Sequence, residues 1–175
     1  FFLGANLFYN QYENYQLFVD QLLPAPVPPL FSNQAGRLFN IDDVRTYGLE
    51  VTAGYQMRQD LNLFGSLGLL QTDVGNLGPA VVAFTGTTNS NGNELPRAPN
   101  FTMGLGADYE MFDRFRIGGR VSYTSSYFSN VTNDPGVKVG DYVLVDVNAS
   151  YAISDRAELY GYVNNIFDTR EATFL

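Results

Sequence analysis

The sequence contains no cysteine and no histidine, and these two absences exclude several kinds of chemistry. Without cysteine there is no disulfide framework and no thiolate nucleophile. Without histidine there is no Ser-His-Asp triad, no histidine-based zinc site and no general base of the usual kind. No phosphate-binding loop or nucleophile elbow is present either. We therefore predict that the protein is not an enzyme and that it has no catalytic residues, no metal site and no cofactor.

Basic residues and long apolar runs are also scarce. There are 10 Lys and Arg residues against 18 Asp and Glu residues, which gives a formal net charge of -8 and argues against a nucleic-acid partner. The mean hydropathy is -0.10, and no apolar run approaches the roughly 18 residues of a membrane-spanning helix. Transmembrane β-barrels escape hydropathy searches because their polar lumenal residues dilute the apolar ones.

A strict alternation of apolar and polar residues is the main pattern that the sequence does contain. It is clearest over residues 142–153, where one face of a predicted strand is apolar and the other is mostly polar. The apolar face consists of Val143, Val145, Val147, Ala149, Tyr151 and Ile153. Such a strand belongs to a sheet with one apolar side, and that side suits contact with lipid.

The same alternation predicts about seven strands, each near the length that crosses a bilayer when tilted. The first strand, roughly 2–18, is aromatic-rich and alternates only in part. Over 61–73, Phe64 and Leu70 interrupt the polar face. The other predicted strands cover 47–57, 101–111, 115–127, 142–153 and 157–167.

The connections between the predicted strands alternate in length. Short polar links at 58–60, 113–114 and 154–156 alternate with long links at about 19–38, 75–98 and 129–141. The long links are rich in Pro, Gly, Asn and Thr, which favour turns and loops. The second long link, 75–98, contains the apolar run at 81–85 and is predicted to fold over the mouth as a short extracellular hairpin. The alternation of short and long links is typical of a bacterial outer-membrane barrel, which has short periplasmic turns and long extracellular loops.

Aromatic residues mark both ends of the predicted apolar face. Tyr55, Tyr109, Phe115 and Tyr151 lie near the short turns. The long-loop ends carry Tyr47, Phe101, Tyr123, Tyr127 and Phe167. Mid-strand positions are mostly aliphatic, so the pattern indicates an apolar band between two aromatic girdles.

Three short segments resemble elements of a single protein family. Residues 47–50 (YGLE) resemble an element of TonB-dependent outer-membrane receptors. Residues 92–99 (GNELPRAP) resemble their G-x-x-LP-x-AP segment, and residues 163–168 (VNNIFD) resemble their v-x-NLFD element near the C-terminus. The resemblance covers nearly all of the 175 residues.

The resemblance implies an all-β fold, the C-terminal part of an antiparallel transmembrane β-barrel of about 22 strands closed around an N-terminal plug. Residues 1–175 would then be a portion of that barrel, with the plug domain and the final strand absent. The implied function is TonB-energised import, across the bacterial outer membrane, of a scarce ligand such as an iron–siderophore complex. A passive porin-like barrel and a soluble β-sandwich binding module remain the alternatives.

The implied partners are outer-membrane lipid, the plug domain, TonB through the missing N-terminal part, and a small-molecule ligand. Candidate ligand-binding residues in the predicted extracellular loops are Phe31, Arg37, Phe84 and Arg97. Candidate residues that face the lumen and contact the plug are Glu50, Asp108, Glu110, Arg116, Arg120, Asp146 and Glu158.

Overall fold

The computed structural model describes residues 1–22, 34–87, 91–112 and 114–171, and for residues 20–22, 34 and 35 it describes the backbone only. These residues form antiparallel β-structure with one short α-helix and one 3₁₀ turn, Pro135–Val137. The strands of the main sheet are β1 (Phe2–Tyr12), β4 (Val44–Arg58), β5 (Leu61–Val74), β6 (Phe101–Met111), β7 (Phe115–Thr124), β10 (Tyr142–Ser154) and β11 (Ala157–Val163). The remaining elements are β2 (Tyr15–Leu22), β3 (Gln34–Ile41), α1 (Gly78–Thr85), β8 (Tyr127–Phe128) and β9 (Lys138–Val139).

The seven strands of the main sheet are paired in the order β1-β4-β5-β6-β7-β10-β11. Every neighbouring pair is antiparallel. Short turns join β4 to β5, β6 to β7 and β10 to β11, and all of them lie at one end of the sheet, while the long connections lie at the other. The predicted antiparallel fold, the number of strands and the alternation of connection lengths are therefore confirmed.

Apart from the register shifts after Gln56 in β4 and after Ala152 in β10, the pairing register places the odd-numbered residues of the seven strands on one side of the sheet. Leu105 lies opposite Val121, and Val121 lies opposite Val145, so these three side chains share a face. We call this side the apolar face and the even-numbered side the polar face. Large side chains on the apolar face are uncovered, and Leu105 is 53% exposed. An apolar surface of this extent requires contact with lipid or with another protein.

Several strand boundaries differ from the sequence-based prediction: β4 begins at Val44 instead of residue 47, and β7 ends at Thr124 instead of residue 127. The two largest differences are at the first and last strands. The first strand was predicted to reach residue 18, but β1 ends at Tyr12 and the chain begins a second sheet at Tyr15 after Asn14, which has a φ of 54°. The last strand was predicted to reach residue 167, but β11 ends at Val163. Asn165 has a φ of 51°, a left-handed conformation that Asn tolerates better than most residues and that interrupts a regular strand.

The buried core of the described residues lies at the long-connection end and not between layers of the main sheet. Strands β2 and β3 pair as a hairpin that continues β1 and β4 beyond the main sheet. Helix α1 packs against β2. We call this assembly the crown: it consists of the hairpin β2–β3, helix α1, and the described residues of the loops at 75–100 and 125–141, which include β8 and β9. Its main buried cluster consists of Val19, Ile41, Val44, Val74, Leu77, Val81 and Val131.

Helix α1 corrects a prediction, because the link at 75–98 was expected to fold as a short hairpin and its residues 78–85 form a helix instead. Pro79 stands in the first turn, where its missing N–H costs no hydrogen bond, and Gly86 ends the helix with a φ of 73°. The apolar run resembles a strand, but the helix buries Val81 in the crown. No helix among the described residues is long and apolar enough to cross a membrane.

Candidate functional site

The polar face and the crown contain the residues that the sequence singled out, apart from Phe31, which lies outside the described residues. All seven predicted lumenal residues have even numbers and lie on the polar face of the main sheet. Asp146 lies opposite Arg120, and Glu110 lies opposite Arg116. The register therefore brings most of the predicted charges together on β6, β7 and β10.

Three of these charged groups have partners on neighbouring strands. Arg116 Nε lies 3.5 Å from Glu110 Oε2. Asn6 Nδ2 donates to Glu50 Oε2 over 3.3 Å. Both contacts are cross-strand pairs of the kind that stabilise a sheet modestly. Because the side chains are solvent-exposed, the ion pair contributes little to stability on its own.

Asp146 has a structural partner that sequence reasoning did not identify. Its carboxylate accepts a hydrogen bond from the backbone N–H of Asn165 at 2.9 Å, in the segment that follows β11. The Asn165 side chain bonds Thr169 twice, accepting from its N–H and donating to its carbonyl oxygen, each at 2.9 Å. Ile166 N–H also donates to Val145 O at 2.9 Å. Asp146 thus anchors the irregular segment that replaces the predicted end of the last strand.

Arg120, Asp108 and Glu158 form no hydrogen bond or ion pair with any residue that the structure describes. Arg120 extends across Gly104, where an added Cβ would lie 3.1 Å from its Nη2. Asp108 lies over Gly118 in the same way. These charged groups are exposed on the polar face, and they are free to meet a molecule that covers it.

A groove of about 490 Å³ crosses the polar face at this level. Aromatic rings line it beside Arg120: Phe64, and Tyr160 with Tyr162, whose ring centroids are 5.9 Å apart. Phe64 was noted in the sequence as an interruption of the polar face. Its ring lies over Gly106 on the next strand, where an added Cβ would come within 2.4 Å. The glycine lets the ring lie along the wall instead of standing out from it.

The crown brings together two of the predicted ligand-binding residues. The Arg37 guanidinium carbon lies 5.4 Å from the centroid of the Phe84 ring, and the Phe39 ring is 5.5 Å from that same ring. This cation–π contact holds Arg37 against α1. Arg97 belongs to a different part of the crown, where its backbone N–H donates to Phe128 O at 2.8 Å and its φ is 60°.

Asn133 is the crown residue that sequence reasoning missed. Its Oδ1 accepts from Glu94 N–H at 2.6 Å, and its Nδ2 donates to Glu94 O at 2.9 Å. Asn93 Nδ2 also donates to Val131 O at 2.8 Å. These bonds join the GNELPRAP segment to the loop before β9. The motif drew attention to one side of the joint, but nothing in the sequence marked Asn133 as its partner.

Tyr127 also differs from expectation, because it was predicted to belong to the aromatic girdle on the apolar face. It lies in β8 and is only 6% exposed, opposite Val139 of β9. Burial raises the pKa of its phenol, Tyr142 raises it further, and Arg97 opposes the shift. Tyr127 is therefore a packed residue of a loop sheet.

Sequence comparison identifies the same family that the motifs suggested. The family model described as TonB dependent receptor-like, beta-barrel, matches residues 1–166. A probable TonB-dependent siderophore receptor, PiuA of Acinetobacter baumannii, is 23% identical over 136 residues. The match covers 77% of this chain and 18% of that protein, so the chain spans a small part of its relative's length.

Solved structures share the fold at low sequence identity. The crystal structure of PiuA from A. baumannii has a TM-score of 0.72 at 20% identity, over 98% of this chain and 22% of that one. The ferric yersiniabactin uptake receptor FyuA from Yersinia pestis has a TM-score of 0.72 at 17% identity, covering 98% and 23%. The copper transporter OprC has a TM-score of 0.68 at 17% identity, covering 98% and 24%. From the family match over residues 1–166, the chain belongs to the TonB-dependent receptors, as a portion of their β-barrel.

Proposed function

We propose that this chain is a wall segment of an outer-membrane importer that takes up an iron–siderophore complex with energy delivered through TonB. The observation that carries the proposal is the division of all seven strands into an apolar face and a polar face, in a chain that matches the receptor-barrel family over residues 1–166. In such a barrel the apolar face meets lipid, and the polar face lines a wide lumen.

The free edges of the sheet support a larger barrel. Strands β1 and β11 each pair on one side only within the described residues. Inside a bilayer every backbone N–H and C=O must be bonded within the protein, which a sheet achieves only by closing. We therefore propose that further strands of the same longer polypeptide pair with both edges, and that a plug domain from its N-terminal part fills the lumen.

The choice of cargo rests on the named relatives. PiuA is named as a siderophore receptor and FyuA as a ferric yersiniabactin uptake receptor. OprC, named as a copper transporter, has the same fold. The shared architecture is therefore compatible with more than one metal cargo, and the iron–siderophore assignment is the proposal that needs testing.

In this proposal the crown forms part of the extracellular mouth. Arg37, Phe84 and Arg97 remain our candidates for ligand contact there, together with Phe31. Arg37 and Phe84 would present a cation and a ring face side by side, a combination that suits an anionic chelate with planar groups. The lumenal set on the polar face would contact the plug.

Uptake by the full-length protein provides the test. A strain lacking this receptor, with and without the complete gene restored, would be given radiolabelled iron as ferric catecholate, hydroxamate and phenolate chelates, with labelled copper in parallel. We expect accumulation of one iron chelate that requires both the receptor and TonB. Uptake that persists without TonB would contradict energised import, and copper uptake alone would contradict the iron assignment.

A further inference from the structure

We propose that the strand which pairs with the free edge of β11 carries a glycine opposite Tyr160 or Tyr162, and that the two tyrosine rings lie over it. The partner is a strand of the same longer polypeptide, so the inference rests on the proposed closure of the barrel. It goes beyond closure, because it specifies which residue the neighbouring strand presents and at which position.

Aromatic rings on the polar face lie over glycines of the adjacent strand. Phe2 and Phe8 of β1 are paired in register with Gly54 and Gly48 of β4. At both glycines an added Cβ would collide with the ring of the phenylalanine partner. The contact therefore requires glycine, since any other side chain would push the ring away from the backbone.

Phe64 shows that the arrangement has a direction within the sheet. This residue has a glycine opposite it on each side, Gly54 of β4 and Gly106 of β6. Its ring lies over Gly106, while the ring of Phe2 lies over Gly54. In all three pairs the ring belongs to one strand and the glycine to the next strand in the order β1-β4-β5-β6. The same relation, continued along the sheet, leads from β11 to the strand at its free edge.

Two further aromatic residues of the polar face lie where strands of the main sheet meet the crown. Tyr12 is the last residue of β1, and its ring centroid is 5.6 Å from that of Tyr15. Tyr142 is the first residue of β10 and lies near the buried Tyr127. These two side chains therefore have aromatic neighbours at the crown.

Tyr160 and Tyr162 have neither a glycine nor a crown residue beside them. Their register partners on β10 are Ser150 and Asn148. The two rings are 5.9 Å apart, and the residues are 60% and 64% exposed. Phe64, which has a strand on each side, is 37% exposed. The free edge of β11 is thus the side on which a glycine could accommodate these rings.

A glycine on the neighbouring strand would let the rings lie along the wall and would help to fix the pairing register. A ring that fits over one glycine does not fit at an offset of one residue, because that shift brings a residue of the other face opposite it. The ring of Phe18 lies over Gly36, although its register partner is Leu38. A ring can therefore also reach a glycine diagonally, and one glycine suffices for the tyrosine pair.

Disulfide crosslinking in the full-length receptor identifies the partner residues. Gly161→Cys lies between the two tyrosines in sequence, and single cysteines are scanned along the strands outside residues 1–175. The cysteine that crosslinks best lies opposite position 161, because a disulfide requires closely spaced Cβ atoms. The residues before and after that cysteine then lie opposite Tyr160 and Tyr162. We expect one of them to be glycine.

A double-mutant cycle tests the ring contact itself. We expect replacement of that glycine by Val to raise the urea unfolding equilibrium constant about tenfold more with both tyrosines present than with Tyr160→Ala and Tyr162→Ala. Replacement by Ala gives the same comparison if a Val variant does not show the heat-modifiable migration of a folded barrel.

The described wall supplies two matched controls. Gly106→Val, with and without Phe64→Ala, is the positive control, because the ring contact is already present there. Gly119→Val is the negative control, since the nearest atom to an added Cβ is the Asp146 carbonyl oxygen at 3.7 Å and no ring lies over it.

The two proposals fail in different ways. If Gly161→Cys crosslinks within the polypeptide but neither flanking residue is glycine, the inference is wrong and the importer assignment stands. If the glycine is present but its replacement has the same effect with and without the tyrosines, the rings do not lie over it and the inference is again wrong. If Gly161→Cys crosslinks to no strand of its own polypeptide, the barrel does not close at β11 and both proposals are wrong.

Discussion

At the scale of single residues, parity along the strand decides what each side chain meets. Odd-numbered residues of the main sheet lie on the apolar face and even-numbered residues on the polar face. Because a one-residue step reverses the face, neighbours in sequence and at equal membrane depth should respond very differently to the same substitution.

Val147 and Asn148 provide that comparison near the middle of β10. We expect Val147→Lys to destabilise the full-length barrel by about 2–4 kcal/mol, because it places a charge against lipid near the midplane. Asn148→Lys adds the same charge on the polar face, beside Asp108, and should be milder. Urea-driven unfolding in lipid vesicles measures both effects. Equal losses would contradict the assignment of the apolar face to lipid.

Asp146 leads to a second residue-scale prediction. Asp146→Ala leaves the Asn165 N–H without its acceptor and should destabilise the segment after β11 by about 1–3 kcal/mol. Amide exchange at residues 164–169 reports this directly. Ser150→Ala, on the same face of β10, is the control. An unchanged exchange rate at Asn165 would show that the carboxylate is not an anchor.

The sequence predicted the face of each charged residue but not its partner. Alternation alone placed Glu110, Arg116 and Asp146 on the polar face. It could not show that Arg116 pairs with Glu110 while Asp146 bonds a backbone amide nineteen positions away. Such pairs depend on cross-strand register and on the irregular path after β11, which periodicity does not specify.

At the scale of elements, the crown shows where sequence reasoning lost accuracy. The alternation of a half-buried strand is readable because one face is polar, whereas Val81-Val82-Ala83-Phe84 is apolar at every position. A short apolar run does not distinguish a strand from a buried helix. Tertiary packing favours the helix here, because Val19, Ile41 and Val74 pack against α1 and bury Val81.

Asn133 leads to the prediction at this scale. The Asn133 side chain is hydrogen-bonded to both the backbone N–H and the backbone C=O of Glu94. Asn133→Ala removes these bonds and should release the GNELPRAP segment from the loop of residues 129–139, which amide hydrogen exchange would measure. We expect about tenfold faster exchange in both segments, since removing one residue takes away bonds from each. Asn130→Ala, which removes only contacts within the loop, should affect the loop alone. If Asn133→Ala accelerated amide exchange in only one of the two segments, the proposed link between them through Asn133 would be wrong.

At the scale of the whole molecule, the described sheet is open at β1 and β11. Unpaired strand edges are templates for association with other chains. The face assignments, the strand count and the family were all readable from the sequence, because they depend on repetition and on short motifs. The strands that would pair with β1 and β11 in the proposed barrel could not be predicted in this way.

Residues 1–175 produced alone should therefore fail to form a closed monomer. We expect the isolated segment, refolded in detergent, to associate through its edges and to lack the heat-modifiable migration of a closed barrel on a gel. The full-length protein under the same conditions is the control, and it should migrate as a compact monomer. A compact, heat-modifiable monomer from the segment alone would contradict the requirement for further strands.

In the proposed barrel the crown faces the outside of the cell, and its structure then has a consequence for recognition by antibodies. Its buried side chains and the hydrogen bonds between Asn133 and Glu94 hold these loops in one arrangement relative to each other. An antibody raised against the folded receptor would then bind a surface assembled from several loops at once. Antibodies raised against a linear peptide of residues 91–100 should instead bind the unfolded chain and miss the native one, since the folded segment hides part of that peptide against its neighbours. We therefore expect the epitopes of the crown to be conformational and not linear.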